Sequence, residues 1–298
     1  MAAIAMTGAE GFIGSCLAPA LVASGHRVRG VDIVPRRRFL ADAPFLQGNL
    51  ADPAFARSVV EGMDGVIHLA GVSRAGAGKA DPVGCAIANV TASVTLFQAI
   101  RQQNRQVWLL LGSTREVDSL KNKTMPDSLA DFYAISKRSM EEMAISFARE
   151  CHLKLIIMRL SDVYGHGQDH PDKLLPLFLR LAQAGKPLQV RDGNSRFHYT
   201  HIDDVVRAFV EGVSTLSTST HRLEVRRLWT DHSVTIQELA QLVCRTTRSV
   251  SPIDVMTPGT VGVGSREPTP EMIDSWRFQP QVTLEEGVEG LSGSCSAR

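Results

Sequence analysis

Met6-Thr7-Gly8-Ala9-Glu10-Gly11-Phe12-Ile13-Gly14 is the stretch whose reading decides the fold. The apolar run before it, residues 2–6, reads as a buried strand, and residues 15–24 after it carry apolar side chains at helical spacing and stop at Gly25. Gly8, Gly11 and Gly14 therefore fall in a strand-to-helix turn. Glycines there let a backbone come close to a ligand, and the helix N-terminus offers free N–H groups and the positive end of a dipole, which suits a pyrophosphate. The spacing G-x-x-G-x-x-G is one residue longer at the front than the common dinucleotide fingerprint. A second apolar strand, residues 28–34, carries Asp32 near its end. A carboxylate about twenty residues after the turn accepts hydrogen bonds from adenosine ribose hydroxyls. Turn and acid together predict a dinucleotide site.

Working outward, the first half of the chain alternates strand and helix signals. Residues 52–61 read as a helix capped by Asp52 with Pro53 in its first position. Residues 65–70 read as a strand, 82–103 as a long helix and 107–111 as a strand ending at Gly112-Ser113-Thr114. Residues 132–150 follow as a helix and 153–160 as a strand. This succession predicts an α/β fold, a parallel sheet with helices on both faces, with ligands gathered outside the carboxyl ends of the strands. Gly14, Asp32, Ala70, Ser113 and Asp162 all fall at such ends. The second half is less regular. Helices are expected at 173–184, 202–213, 235–245 and 284–291, a turn at Asp192-Gly193-Asn194, and a surface loop at 214–220. Residues 251–269 read as irregular and 292–298 as a frayed tail.

Composition bounds the partners. With 44% apolar and 21% charged residues the 298-residue chain has the make-up of a soluble globular protein, and a net charge of +1 implies no nucleic acid. The basic runs Arg36-Arg37-Arg38 and Arg226-Arg227 read as solvated loop charges. No apolar run approaches the length of a membrane span, and the chain enters a strand at once, so no signal peptide is expected. Cysteines 16, 85, 151, 244 and 295 form no C-x-x-C pair and read as reduced thiols of a cytoplasmic protein, mostly core filler.

The chemistry sits further along. Tyr133-Ala-Ile-Ser-Lys137 starts a helix, and a separation of four puts Tyr133 and Lys137 on one face. A lysine ammonium beside a phenol stabilises the phenolate, which makes Tyr133 a candidate general base or acid. Ser113-Thr114, at the end of the preceding strand, supplies hydroxyls to the same place.

Read together, these residues resemble an extended short-chain dehydrogenase/reductase of the NAD-dependent epimerase/dehydratase family, whose members act on nucleotide sugars. The matching stretches are 7–14, His68-Leu-Ala70, Asn89-Val, Ser113-Thr114-Arg-Glu-Val117, Tyr133-Ala-Ile-Ser-Lys137, Arg159-Leu-Ser-Asp-Val-Tyr-Gly165, His201-Ile-Asp-Asp-Val205 and Trp276-Arg-Phe-Gln-Pro280, in family order over nearly the whole chain. The resemblance implies a Rossmann-type doubly wound domain, residues 1–163 with 199–232 returning to it. A smaller, discontinuous substrate lobe would take 164–198 and 233–298. It implies that NAD is held by Gly8, Gly11, Phe12, Ile13, Gly14, Asp32, Asn49, Leu50, Leu69, Ala70, Gly71, Asn89, Ser113, Tyr133 and Lys137. Thr114, Tyr133, Lys137 and Glu116 are its candidate catalytic residues, and Thr114, Asp162, Arg191 and Arg196 its candidate substrate contacts, with no metal. Asp32 argues for NAD over NADP, and Arg36 to Arg38 argue the other way. Helices 82–103 and 132–150 match those that form the family's dimer interface, so a homodimer is implied.

The chain also departs from the family pattern. Asn49 replaces an Asp, Val117-Asp118-Ser119 replaces Val-Tyr-Gly, and Asp162 replaces an Asn that faces substrate phosphates. The arginine that clamps the diphosphate falls at Phe197. Arg196 is one residue early, which in a strand is the opposite face, so a bulge or Arg191 would have to restore the clamp. The region around Arg266 looks shortened. A 4,6-dehydratase has Thr-Asp-Glu where this chain has Thr114-Arg115-Glu116, so the acid for elimination is missing. The reaction implied is therefore C4 oxidation of a nucleotide sugar followed by 4-epimerisation. The alternatives are a dehydratase or decarboxylase that uses Glu116, a plain NAD(P)-dependent dehydrogenase/reductase on another substrate, and a non-catalytic nucleotide sensor. Glu116 could equally be a loop anchor.

Overall fold

The computed structural model describes residues 1–103, 105–120, 128–167, 169–220, 222–229, 232–256 and 276–294. Its central sheet contains β1 (Ala3–Thr7), β2 (Arg27–Asp32), β3 (Phe45–Gln47), β4 (Gly65–His68), β5 (Trp108–Thr114), β6 (Leu155–Leu160) and a seventh strand, Leu223–Leu228. All residues of β1, β4 and β5 are buried, as continuous apolar runs require when helices cover both faces. The order across the sheet is Leu223–Leu228, β6, β5, β4, β1, β2, β3, and the pairings from β6 to β3 are parallel. The strand order reverses between β1 and β4, the point where a doubly wound sheet opens a crevice at its carboxyl ends.

Local chemistry sets the helices. The helix Pro53–Val60 starts as its sequence predicts, with Asp52 Oδ1 accepting the Ala54 and Phe55 N–H groups at 2.8 and 3.4 Å. The helix Phe132–Glu150 has the bounds read from the sequence. The helix Pro82–Arg101 widens to a π turn over Ile87–Thr91. This helix corrects one expectation, since it is long and apolar enough to cross a membrane by length and composition. Its Ala92, Leu96, Phe97, Ala99 and Ile100 instead pack into the core with Val59, Leu109, Leu111, Met140 and Ile157.

Other expectations also give way. Residues 214–218, read as loop, continue the helix Ile202–Thr218: Thr215 and Thr218 hydroxyls donate back to the carbonyls of Glu211 and Ser214, and Leu216 is buried. Arg226 and Arg227 lie in the strand Leu223–Leu228. Arg226 is 2% exposed, paired with Glu224 at 2.8 Å and Glu211 at 3.3 Å, and stacked 4.8 Å from the Trp276 ring. Its charge is neutralised by neighbours rather than by solvent. Residues 253–256, read as irregular, form a strand parallel to Leu188–Arg191, and the last helix runs Leu284–Ser294. Only Cys85 of the described cysteines is buried; Cys16, Cys151 and Cys244 are half-buried. Residues 257–269 of the region read as irregular, which include the stretch around Arg266, and residues 295–298 with Cys295 lie outside the described residues.

The chain divides into two compact units. The described residues of the first are those within 1–160, 206–227 and 276–277; those of the second fall within 161–205, 228–256 and 278–294. The second unit has its own core of Phe178, Leu188, Val190, Leu239, Val243 and Val288. Its helix Ile236–Thr247 opens with a capping box, Thr235 Oγ1 accepting the Glu238 N–H at 3.0 Å and Glu238 accepting the Thr235 N–H at 2.7 Å.

Candidate active site

At the carboxyl ends of β1 and β4 the two backbones touch. Gly8 has φ +70°, and a Cβ there would lie 2.7 Å from Ala70 N and 2.8 Å from the Leu69 carbonyl carbon. A Cβ at Gly14 would collide with the Gly8 carbonyl oxygen. Gly8 and Gly14 are thus sterically required. Gly11 closes the turn by donating to the Gly8 oxygen at 3.1 Å, and Phe12 and Ile13 open the helix Phe12–Ala23.

Asp32 stands at the end of β2, where its carboxylate accepts the Glu10 N–H at 2.9 Å and the Val34 N–H at 3.2 Å. Glu10 accepts the N–H groups of Arg38 and Phe39 at 2.8 and 2.9 Å. Burial opposes the Glu10 charge, but these backbone donors outweigh it and hold the carboxyl below its ordinary value. The arginine run is therefore not a free loop, although its side chains are exposed. The Arg36 guanidinium is engaged with the carbonyls of Leu40, Ala41 and Ala43 at 2.8–3.2 Å. Asn49 is exposed and accepts the Ala51 N–H at 2.9 Å, while the neighbouring Leu50 is buried.

Asn89 sits in the π turn and is fully buried. Its Nδ2 donates to Ser136 Oγ at 2.9 Å and reaches Cys85 Sγ at 3.5 Å. Its Oδ1 has no hydrogen-bond partner. That oxygen lies against Gly71, where a Cβ would strike it and where φ is +140°. Ser113 Oγ is likewise buried without a partner. Buried polar atoms left unpaired are rare and call for an explanation. Two of them, together with the glycine-lined junction at Gly8 and Ala70, fit a polar ligand of the dinucleotide kind.

Tyr133 and Lys137 are 4% and 6% exposed on the first turns of Phe132–Glu150. Lys137 Nζ donates to the Gly112 carbonyl at 3.3 Å. Burial lowers its pKa to about 8, with the Glu141 carboxylate pulling the other way. Thr114 ends β5 and its Oγ1 accepts the Glu116 N–H at 3.3 Å, at the start of the short helix Glu116–Ser119; Glu116 is half-buried. Behind this helix Arg159 donates to Glu141 at 3.0, 3.2 and 2.6 Å and to Asp118 at 2.8 Å. Burial disfavours the Arg159 charge, but the two carboxylates outweigh it and raise its pKa. Asp118, where the family pattern has Tyr, is thus a buried ion-pair partner, with Arg227 Nε 3.8 Å away.

In the second unit Asp162 is half-buried on the strand Asp162–Tyr164, which pairs in parallel with Tyr199–His201. The Arg196 guanidinium donates to the Ser233 hydroxyl and carbonyl at 2.9 and 3.0 Å, while the Phe197 ring lies 6.5 Å from that of Tyr199. Arg191 is exposed at the end of Leu188–Arg191. Sequence reasoning quoted His68 but gave it no role, and missed Ser93 and Ser136, which bond Asn89 from two sides. The one available signal was spacing, Ser93 four residues after Asn89 on the same helix.

Residues 4–221 match the NAD dependent epimerase/dehydratase family. The chain is 26% identical to the UDP-N-acetyl-alpha-D-glucosaminuronate decarboxylase of Bacillus cytotoxicus over 95% of this chain and 94% of that protein. It is 26% identical to the UDP-glucose 4-epimerase of Corynebacterium glutamicum over 73% of each. The fold superposes on a UDP-glucose 4-epimerase of Thermotoga maritima, solved with UDP-glucose, with a TM-score of 0.84 at 24% identity, covering 99% of this chain and 98% of that one. It also superposes on the Thermus thermophilus UDP-glucose 4-epimerase bound to NAD, with a TM-score of 0.79 at 21% identity and 99% of each chain covered. The match over residues 4–221, with the Rossmann strand order and the glycine turn it carries, makes the chain an enzyme of the NAD dependent epimerase/dehydratase family.

Proposed function

We propose that the chain is an NAD-dependent nucleotide-sugar 4-epimerase. The observation that carries the reading is the buried pair on Phe132–Glu150: Lys137, held against the Gly112 carbonyl, shares a helix face with Tyr133 beside the end of β5 that presents Thr114. The glycine turn and Gly71 would hold the cofactor's backbone, Asp32 its adenosine ribose, and Asn89 Oδ1 and Ser113 Oγ its nicotinamide half, with Asn49, Leu50, Leu69 and Ala70 lining it. Bound NAD supplies a reversible hydride acceptor. Tyr133 takes the proton of the sugar C4 hydroxyl and later returns it, and the Lys137 charge stabilises the phenolate between these steps. Thr114 hydrogen-bonds the reacting oxygen, and the sugar passes through a 4-keto form that turns over before it is reduced on its other face. Asp32 would meet the ribose hydroxyls, and Arg36 of the arginine run is already engaged by its own loop carbonyls, so NAD is favoured over NADP.

The second unit is the proposed substrate lobe, with Asp162, Arg191 and Arg196 as its polar contacts. A homodimer through Pro82–Arg101 and Phe132–Glu150 is part of the reading, supported by the exposed apolar Val83 and Ile87, which share a face. A cytoplasmic setting completes it. The second reading, decarboxylation of a nucleotide uronic acid with Glu116 at the site, is favoured by the relative aligned along 95% of the chain. Incubation with UDP- and dTDP-hexoses and uronic acids separates the readings. An isomer of unchanged mass with no net NADH supports epimerisation. Loss of carbon dioxide supports decarboxylation, loss of water dehydration, and stoichiometric NADH a dehydrogenase. Sedimentation of the purified protein tests the dimer.

A further inference from the structure

Four hydrogen bonds in the first unit connect the end of β4 to the π turn, and chemistry fixes the direction of each. Ser93 Oγ lies 2.7 Å from the Asn89 carbonyl, which can only accept, so the serine proton is committed there. Ser93 must then accept from His68 Nε2 at 2.9 Å, which makes His68 the Nε2–H tautomer. His68 Nδ1 is left an acceptor and takes the Thr7 hydroxyl proton at 2.7 Å. Thr7 Oγ1 in turn accepts the Ala70 N–H at 3.2 Å. The chain runs one way, from Ala70 through Thr7, His68 and Ser93 to Asn89. On the far side, Ser136 Oγ donates to the Tyr133 carbonyl at 2.7 Å, so toward Asn89 it can only accept from Nδ2. This fixes the amide orientation and leaves Oδ1 as the unpaired atom.

We propose that His68, as a neutral Nε2–H imidazole acting through Ser93, is a positioning residue that holds the π turn so that Asn89 Oδ1 is presented to the nicotinamide half of the cofactor. The Asn89 carbonyl is taken up by Ser93 and its Nδ2 by Ser136 and Cys85, which leaves the side-chain oxygen that faces Gly71. In a π turn the hydrogen-bond register is shifted, and the Ser93 hydroxyl caps the Asn89 carbonyl from one helical turn away. Full burial and the nearby Lys137 charge keep His68 unprotonated, which the direction of the chain requires. The proposal rests on the cofactor reading above.

The test is calorimetric titration of NAD into nucleotide-free wild type, Ser93→Ala, Asn89→Ala, the double variant, His68→Gln and His68→Leu, with thermal unfolding of each. Ser93→Ala should bind NAD about fivefold more weakly, the worth of one hydrogen bond. In the Asn89→Ala background the same change should cost nothing further, because Ser93 acts only through Asn89. His68→Gln, whose amide N–H reaches Ser93, should bind like wild type, and His68→Leu like Ser93→Ala. If Ser93→Ala binds NAD like wild type, or weakens it equally in both backgrounds, the positioning role is wrong. If the wild type binds no NAD, the cofactor reading itself fails and the inference falls with it.

Discussion

Glu141→Gln perturbs fold and catalysis through one carboxylate. Glu141 is 2% exposed and accepts three Arg159 contacts, at 3.0, 3.2 and 2.6 Å, against one from Arg159 to Asp118 at 2.8 Å. Glutamine keeps the volume and one acceptor oxygen but removes the charge, leaving a guanidinium that is 12% exposed with Asp118 as its close counter-ion. Removing one partner of a buried pair costs about 3–5 kcal/mol, and the retained amide places this variant near the lower end, about 3 kcal/mol. Asp118→Asn removes one close charge-assisted bond and should cost less, about 1.5–2 kcal/mol. A second effect follows on Lys137. Burial lowers its pKa to about 8, and the Glu141 charge opposes that shift. Without the charge the lysine titrates below about 8, so its ammonium is lost at lower pH and the alkaline limb of activity moves toward neutrality. Urea unfolding of the two variants and a pH–rate profile of Glu141→Gln measure both effects. If Glu141→Gln lies within about 1 kcal/mol of wild type, below the cost of a broken buried pair, and its alkaline limb is unmoved, the account of this cluster is wrong.

Gly14→Ala should abolish NAD binding and destabilise the fold by about 1–3 kcal/mol, because the new Cβ meets the Gly8 carbonyl, which is backbone and cannot swing away; a wild-type melting temperature and titration would refute it. His68 has its pKa lowered to about 3 by burial first and by Lys137 second, from an ordinary 6.5, so the unfolded chain binds the proton that the folded chain rejects. The stability this represents is present above pH 6.5 and is lost as pH falls toward 3. Urea midpoints taken between pH 7 and 4.5 should therefore drop less in His68→Gln than in wild type. Thr235→Ala removes the capping box of Ile236–Thr247 and should cost about 1 kcal/mol in thermal unfolding, with no change in NAD affinity.

Much of the cofactor half was legible in the chain itself, because its rules are local. A strand, a glycine turn and a helix start are written in consecutive residues; Gly8, Gly14 and Asp32 stand out there by spacing and backbone chemistry, and the fold shows the two glycines sterically required and Asp32 bonded to the turn at Glu10. The alternating apolar runs likewise determined a parallel sheet, since a strand buried on both faces leaves a continuous hydrophobic signature. Tertiary structure decided what depends on partners distant in sequence. Arg226 reads as a solvated charge until Glu211, Glu224 and Trp276 are brought around it. Asp118 reads as a broken motif until Arg159, 41 positions later, is placed against it. Residues 214–218 read as loop because Ser and Thr favour turns, but burial of Leu216 and back-bonding hydroxyls carry the helix through them. His68 shows the limit most clearly. The His68 tautomer follows from where four protons must point, and the free oxygen of Asn89 from the Ser136 proton committed to the Tyr133 carbonyl; that geometry exists only once β1, β4, the π turn and Phe132–Glu150 are folded together.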